Sequence, residues 1–284
     1  MPQEEIMMLE SWDEFPSSLE QLKHFREKKE ADNNRALQEP LFRGLGNSEW
    51  PLKTTLERSS DAETNETLLT YYRKAVRTKP AVESLTGRSW NDIPDYLEFE
   101  RLVHDGHWID MTLSRNSAIY EYLLYLRHHG FPSPILDWTV SPYIAALFAF
   151  DAMPETASHV LLYVYFRDTM QVGGSDAHLF VVGPYVRTHP RHYLQQSRYS
   201  ICVQTIWEQH GEKVHIDYKF LPHGDVLTDS MNDDLIIKLL IPATERKRAL
   251  RQLDLMSLNP YSVLGSEEAL IRTIGRRELL FRNE

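Results

Sequence analysis

The residue types in this 284-residue chain that could do chemistry fall in a few short runs. Arg43 closes the apolar stretch ALQEPLFRG (36–44), and Gly44 after it lets a ligand or another backbone come close. A guanidinium there offers paired donors to phosphate or carboxylate. The plainer use is an architectural pairing with Asp137 or with an acid of the C-terminal helix. Asp137, Trp138 and Thr139, with Ser141 behind them, supply an acceptor, a flat ring and hydroxyls at the mouth of a helix. Beside helix-terminal N–H groups they suit a ligand with phosphate or amide groups. The plainer use has Asp137 capping a turn and Trp138 plugging the core. Gln195 and Gln196, in RHYLQQSRYSICVQ (191–204) with Tyr199 just beyond, bring uncharged amides suited to amide or ribose-hydroxyl recognition, or else end a strand. Glu267 and Glu268 follow Ser266 in the first turn of a helix, where acids favour the helix dipole.

Other chemistries are thinly represented. HDGHW (104–108) and His128–His129 bring imidazoles, but no set of Cys, His and acids has zinc spacing, so no metal is expected. The chain has no phosphate loop, no GxSxG elbow and no paired CxxC, and GLG (44–46) lacks dinucleotide-fingerprint spacing.

The elements that must position these residues alternate in type. A helix is expected over 11–30, capped by Ser18 with Gln21 or Ser17 with Glu20, then a turn at 31–34. Residues 36–44 read as a strand, and 65–77 as an amphipathic helix capped by Asn65 and stopped by Pro80. The stretch 81–91 reads as polar turn, followed by a helix capped by Asp92 and another over 114–129 ended by Gly130. Pro132 and Pro134 bias 135–138 to extended geometry, and Ser141–Pro142 opens an apolar, buried helix. Strands are expected at 159–166, 178–183, 199–204, 214–220 and 235–242. Two helices close the chain, capped by Thr244 and Ser266, with a turn at Asn259–Pro260. The order implies one α+β domain: a mainly helical N-terminal half packed on a mixed or antiparallel sheet, with two C-terminal helices. Residues 1–34 read as a helical extension and 35–284 as the domain with its C-terminal block.

A net charge of −10 argues against non-specific nucleic-acid binding, though not against a local basic groove. One cysteine rules out an internal disulfide. No apolar run approaches a membrane span and no signal peptide is visible, so a cytoplasmic protein without a membrane partner is expected.

Together these runs resemble the FRG domain family. LFRG (41–44) with Trp50 and Leu52 resembles its opening motif, and HHGFPSPILDWTVSPYIAALFAF its central block. Residues 191–204 and 241–271 resemble further blocks of one branch, so the resemblance runs over 38–278. The chain departs from the pattern at Arg127, where glutamine is usual, and at Val263–Leu264–Gly265. Gly44, His128 and Tyr199 join the expected ligand-binding set, and the resemblance associates such proteins with bacteria and phage or mobile elements, a toxin or phage-defence role going with an NAD-consuming reading. A further similarity is to the ADP-ribosyltransferase plan. On it Arg43 holds NAD pyrophosphate, Asp137 to Ser141 frame the nicotinamide side, Trp138 stacks on a ring, and Gln195 or Gln196 stands where a late glutamate belongs. A glutamine cannot supply the carboxylate that glycosidic cleavage needs, which leaves Asp137, Glu267 or Glu268 for that part. Three readings follow: an NAD-consuming transferase or glycohydrolase with NAD as substrate; a binding module for a small nucleotide, nucleic acid or partner protein; and a metal-dependent hydrolase or nuclease built on Asp137 and the C-terminal acids.

Overall fold

The computed structural model describes residues 5–34, 36–59, 66–106, 118–167, 177–183, 189–210, 213–228 and 234–282. Eight strands form one mixed sheet: β1 (Glu5–Met8), β2 (Leu41–Leu45), β3 (Leu136–Thr139), β4 (His159–Phe166), β5 (Ala177–Val182), β6 (Ser197–His210), β7 (Lys213–Phe220) and β8 (Leu235–Pro242). Their order is β1-β8-β4-β2-β3-β6-β5, with β7 on β6. β1 runs parallel to β8 and every other pairing is antiparallel. The helices are α1 (Phe15–Asn33), α2 (Thr55–Ser59), α3 (Leu68–Arg77), α4 (Lys79–Thr86), α5 (Tyr96–His104), α6 (Ala118–His128), α7 (Pro142–Asp151), α8 (Arg191–Leu194), α9 (His223–Thr228), α10 (Arg246–Leu255), α11 (Pro260–Leu264) and α12 (Glu267–Arg276). This is the single α+β domain expected from the order of elements.

The period-2 alternation of the strands sorts their side chains into separate cores. Val160, Leu162 and Val164 of β4, with Ile237, Leu239 and Ile241 of β8, pack under α1, α7 and α10. Tyr165 of β4 points the other way, with Leu41, Leu136, Trp138 and Cys202. A third cluster joins α3, α5 and α6 to Tyr199, Ile201 and Val203 of β6. α7 is buried almost all round, as its apolar sequence requires, and Ser141 caps it by accepting from the Ile144 N–H at 3.3 Å. Residues 5–34 join the same body: β1 edges the sheet, and Trp12, Phe15 and Leu22 lie in the first core.

Several local expectations are corrected. The hydroxyls of Ser17 and Ser18 donate back to the carbonyls of Glu14 and Phe15, so neither caps α1. Pro80 does not stop a helix but sits in the first turn of α4, where its missing N–H is harmless; 81–86 is helix, not polar turn. α3 is capped by a Thr67–Thr70 box, and α5 by Asp95 rather than Asp92. Asn65 lies outside the described residues. A 3-10 turn, Ala243–Glu245, leads into α10, which takes no side-chain cap from Thr244. The Asn259–Pro260 turn is the capped start of α11. Gly130 has φ +90°, the left-handed geometry expected after α6.

Candidate functional site

β2 and β3 are neighbours in the sheet, yet among the described residues they share one register pair, Phe42 with Thr139. Where that ladder stops, the Arg43 guanidinium takes its place: Nη1 donates to the Asp137 main-chain oxygen at 2.6 Å. A cleft of about 370 Å³ opens there. Arg43, Asp137 and Gln195, far apart in sequence, all line it, as do Gly44, His128, Trp138 and Thr139.

The charges are ordered by burial and pairing. Arg127 grips the Asp137 carboxylate with two parallel bonds, Nε to Oδ1 at 2.6 Å and Nη2 to Oδ2, and donates from Nη1 to Thr55 Oγ1 at 3.2 Å. The Arg127 side chain is only 7% exposed and that of Asp137 37%, so the guanidinium stands behind and the carboxylate in front. Burial alone would raise Asp137, but the Arg127 charge and hydrogen bonds outweigh it and, with Arg43, hold the carboxyl below its usual range. Burial pushes Arg43 down to about 10, and the neighbouring Arg127 and Arg58 charges add to that against the pull of Asp137. Arg43 therefore remains charged at neutral pH. Among the described residues its buried Nε has no hydrogen-bond partner. Burial likewise takes His128 down to about 4, with Arg127, His189 and Arg191 contributing and Asp137 opposing. His128 is thus a neutral imidazole near pH 7.

Other expected site residues serve the scaffold. Trp138 is 3% exposed, and its Nε1 donates to Ser200 Oγ at 2.7 Å, so the indole plugs the core. Ser200 Oγ also lies 3.0 Å from Nε2 of buried His223. Thr139 Oγ1 accepts from the Ser141 N–H at 3.0 Å, and the Ser141 hydroxyl is spent on capping the helix. A Cβ on Gly44 would lie 2.0 Å from the Ala145 carbonyl oxygen, so this glycine is required by the contact of β2 with α7. Gln195 lines the cleft, anchored by an Nε2 bond of 3.1 Å to the Val263 carbonyl. Gln196 is exposed with φ +49°; it turns the chain from α8 into β6 and does not line the cleft. Tyr199 is buried beside the cleft wall, its hydroxyl 3.2 Å from His128 Nε2. Glu267 and Glu268 are exposed on the first turn of α12 and do not line the cleft. His104 Nδ1 lies 3.0 Å from the Ile216 carbonyl oxygen, while His107 and Trp108 lie outside the described residues. Among the described residues no three His, Cys, Asp or Glu side chains gather as a metal site.

Two functional candidates escaped the sequence reading. Arg127 was visible only as a departure from the family's glutamine. Arg191 lines the cleft one helical turn before Gln195, and that i,i+4 spacing was the signal that could have found it.

Fold and site together define a single-domain α+β protein with a cationic cleft at a gap in its sheet. Residues 38–158 match the model of the FRG domain, and the chain carries that domain. The match takes in β2, β3 and α7, and ends short of α8, β6 and the C-terminal helices. No curated protein and no solved structure matches the chain. Among the described residues no helix is long and apolar enough to cross a membrane.

Proposed function

We propose that the cleft binds a phosphate-bearing ligand of nucleotide type. The observation that carries this is the charge balance: three arginines, Arg43, Arg127 and Arg191, line a cleft whose single carboxylate, Asp137, is already neutralised by Arg127. Such a concentration of guanidinium in a chain of net charge −10 selects anions locally. Among the described residues Arg43 gives one hydrogen bond, from Nη1 to the Asp137 main-chain oxygen, which leaves its Nη2 donors for a ligand oxygen. The geometry favours binding over turnover, because both oxygens of the one lining carboxylate are engaged. Thermal unfolding with and without ADP tests this reading: a ligand that binds only the folded state raises the transition temperature by mass action. The expected rise disappears in Arg43→Ala and shrinks in Arg191→Ala; no rise in the parent chain would remove the proposal.

One observation favours the NAD-consuming reading as the second. Arg43, the Asp137–Thr139 corner and the start of β6 lie on neighbouring strands β2, β3 and β6, the arrangement that the ADP-ribosyltransferase plan calls for. Glutamine in place of glutamate at its third position counts against it. Incubation with NAD decides: nicotinamide release that is lost in both Arg43→Ala and Asp137→Asn would support a transferase or glycohydrolase, with toxin or phage-defence roles following from it. Intact NAD would leave the binding module.

A further inference from the structure

His128 sits on the cleft wall and is backed by a second, buried imidazole through one hydroxyl. The Tyr199 Oη lies 3.2 Å from His128 Nε2 and 3.1 Å from His192 Nδ1. His192 and Tyr199 are each 1% exposed, so no bulk water intervenes. Among the described residues the other nitrogen of His128, Nδ1, has no hydrogen-bond partner, and it is not a buried atom. His128 lines the cleft, and Nδ1 is the ring nitrogen it has left for a ligand.

The proton count is restrictive. A phenol has one proton, so Oη can donate to one imidazole and then accepts from the other. Each neutral imidazole carries its proton on one nitrogen only. If Tyr199 donates to His128 Nε2, then His128 carries its proton on Nδ1 and donates into the cleft, while His192 donates from Nδ1 to Tyr199. If Tyr199 donates to His192 Nδ1, both rings carry their protons on Nε2 and His128 Nδ1 becomes an acceptor. Interchanging these states passes one proton from His192 to Tyr199 and one from Tyr199 to His128, and stays neutral only when His128 also releases its Nδ1 proton and His192 takes one up at Nε2.

We propose that Tyr199 and His192 are positioning residues that fix the tautomer of His128, so that beside its arginines the cleft presents an uncharged imidazole Nδ1 for a neutral polar group of the ligand, such as a sugar hydroxyl. This rests on the reading of the cleft as a phosphate-ligand site, and it narrows the ligand to a phosphate ester carrying such a group next to its phosphates. The burial that holds His128 neutral supports it, since an imidazolium would donate from both nitrogens and obey no such constraint. The Ser197 hydroxyl is the other partner in reach of Oη and defines the competing arrangement, in which Tyr199 donates to Ser197 and accepts from both rings.

Long-range nitrogen–proton NMR of the full chain with labelled histidines, at neutral pH and without ligand, tests the coupling directly. The expected result is that His128 and His192 show the same tautomer, both protonated at Nδ1 or both at Nε2. Protonation of His128 at Nε2 together with His192 at Nδ1, the Ser197 arrangement, would overturn the proposal, as would an imidazolium at either ring. Calorimetry then separates the two levels. Tyr199→Phe and His128→Ala, each checked for a native fold by circular dichroism, should weaken ADP roughly five- to tenfold, the scale of one hydrogen bond, and leave inorganic pyrophosphate unchanged. Equal weakening of both probes, or of neither, would overturn it. If pyrophosphate and ADP both fail to bind the parent chain, the phosphate-ligand reading falls while the tautomer measurement still decides the coupling.

Discussion

The sheet holds two unlike seams. Between β4 and β8 all eight residues, His159 to Phe166, find register partners from Pro242 back to Leu235. Their backbone groups satisfy one another, and Val160, Leu162, Val164, Ile237 and Leu239 bury apolar surface. Between β2 and β3 there is, among the described residues, one register pair, and the Asp137 carbonyl beyond it is met by the Arg43 side chain. The difference shows where this fold can host chemistry. The complete ladder pairs its backbone within itself and keeps its one cation, Lys238, over the Tyr163 ring, whereas the interrupted one admits charge to a cleft, and the charge admitted is mostly positive.

The contrast can be broken first at the ion pair that lines the gap. Arg127→Met leaves the Asp137 carboxylate without its partner inside the gap, and a loss of about 3–5 kcal/mol is expected in urea unfolding. A loss below about 1 kcal/mol would mean that water already solvates the pair.

Acid titration comes next. The carboxyl of Asp137 is held low in the folded state, so its contribution is present above the unfolded pKa and is lost as pH falls through the folded value. His128, at about 4, and His223, at about 3, are also depressed by burial. The unfolded chain takes up their protons below about 6.5 while the folded chain does not, so they too remove stability as pH falls from about 6.5 towards 4. Unfolding free energies between pH 7 and pH 4.5 should fall by roughly 5 kcal/mol, about half from each histidine. Replacing both histidines by glutamine should flatten that part of the profile, and an unaltered slope would show that other groups set it.

Gly44→Ala sharpens the comparison at the seam's edge. The added carbon meets the Ala145 carbonyl oxygen, and overpacking of about 2–3 kcal/mol is expected from chemical denaturation. At the complete seam, Ile237→Val should cost only about 1 kcal/mol and leave ADP binding unchanged. An altered affinity there would tie the two seams together more closely than their geometry does.

Much of this was legible from residue types. The buried α7, the strand over 159–166 and the α+β order followed from periodicity and β-branched runs, because burial enforces those patterns directly. The convergence of Arg43, Asp137 and Gln195 was legible as a hypothesis from their types. The split between β2 and β3 was not, because strand pairing is a long-range choice that neither LFRG nor LDWT encodes alone. Trp138 illustrates the other limit. An indole after an aspartate reads equally as a stacking platform or a core plug, and only its bond to Ser200, sixty-two residues away, decides for the plug. Pro80 misled for a local reason: a proline ends one helix and begins another with the same fixed φ.

The central claim is that the gap between β2 and β3 is an anion site organised by Arg43. The most direct test is the dissociation constant of ADP, by calorimetry on the full chain, for the parent and for Arg43→Ala, with circular dichroism showing both folded. The account predicts saturable binding by the parent and at least a roughly tenfold loss in the variant, the scale of one charged hydrogen bond. Equal affinities, or no binding by the parent, would contradict it.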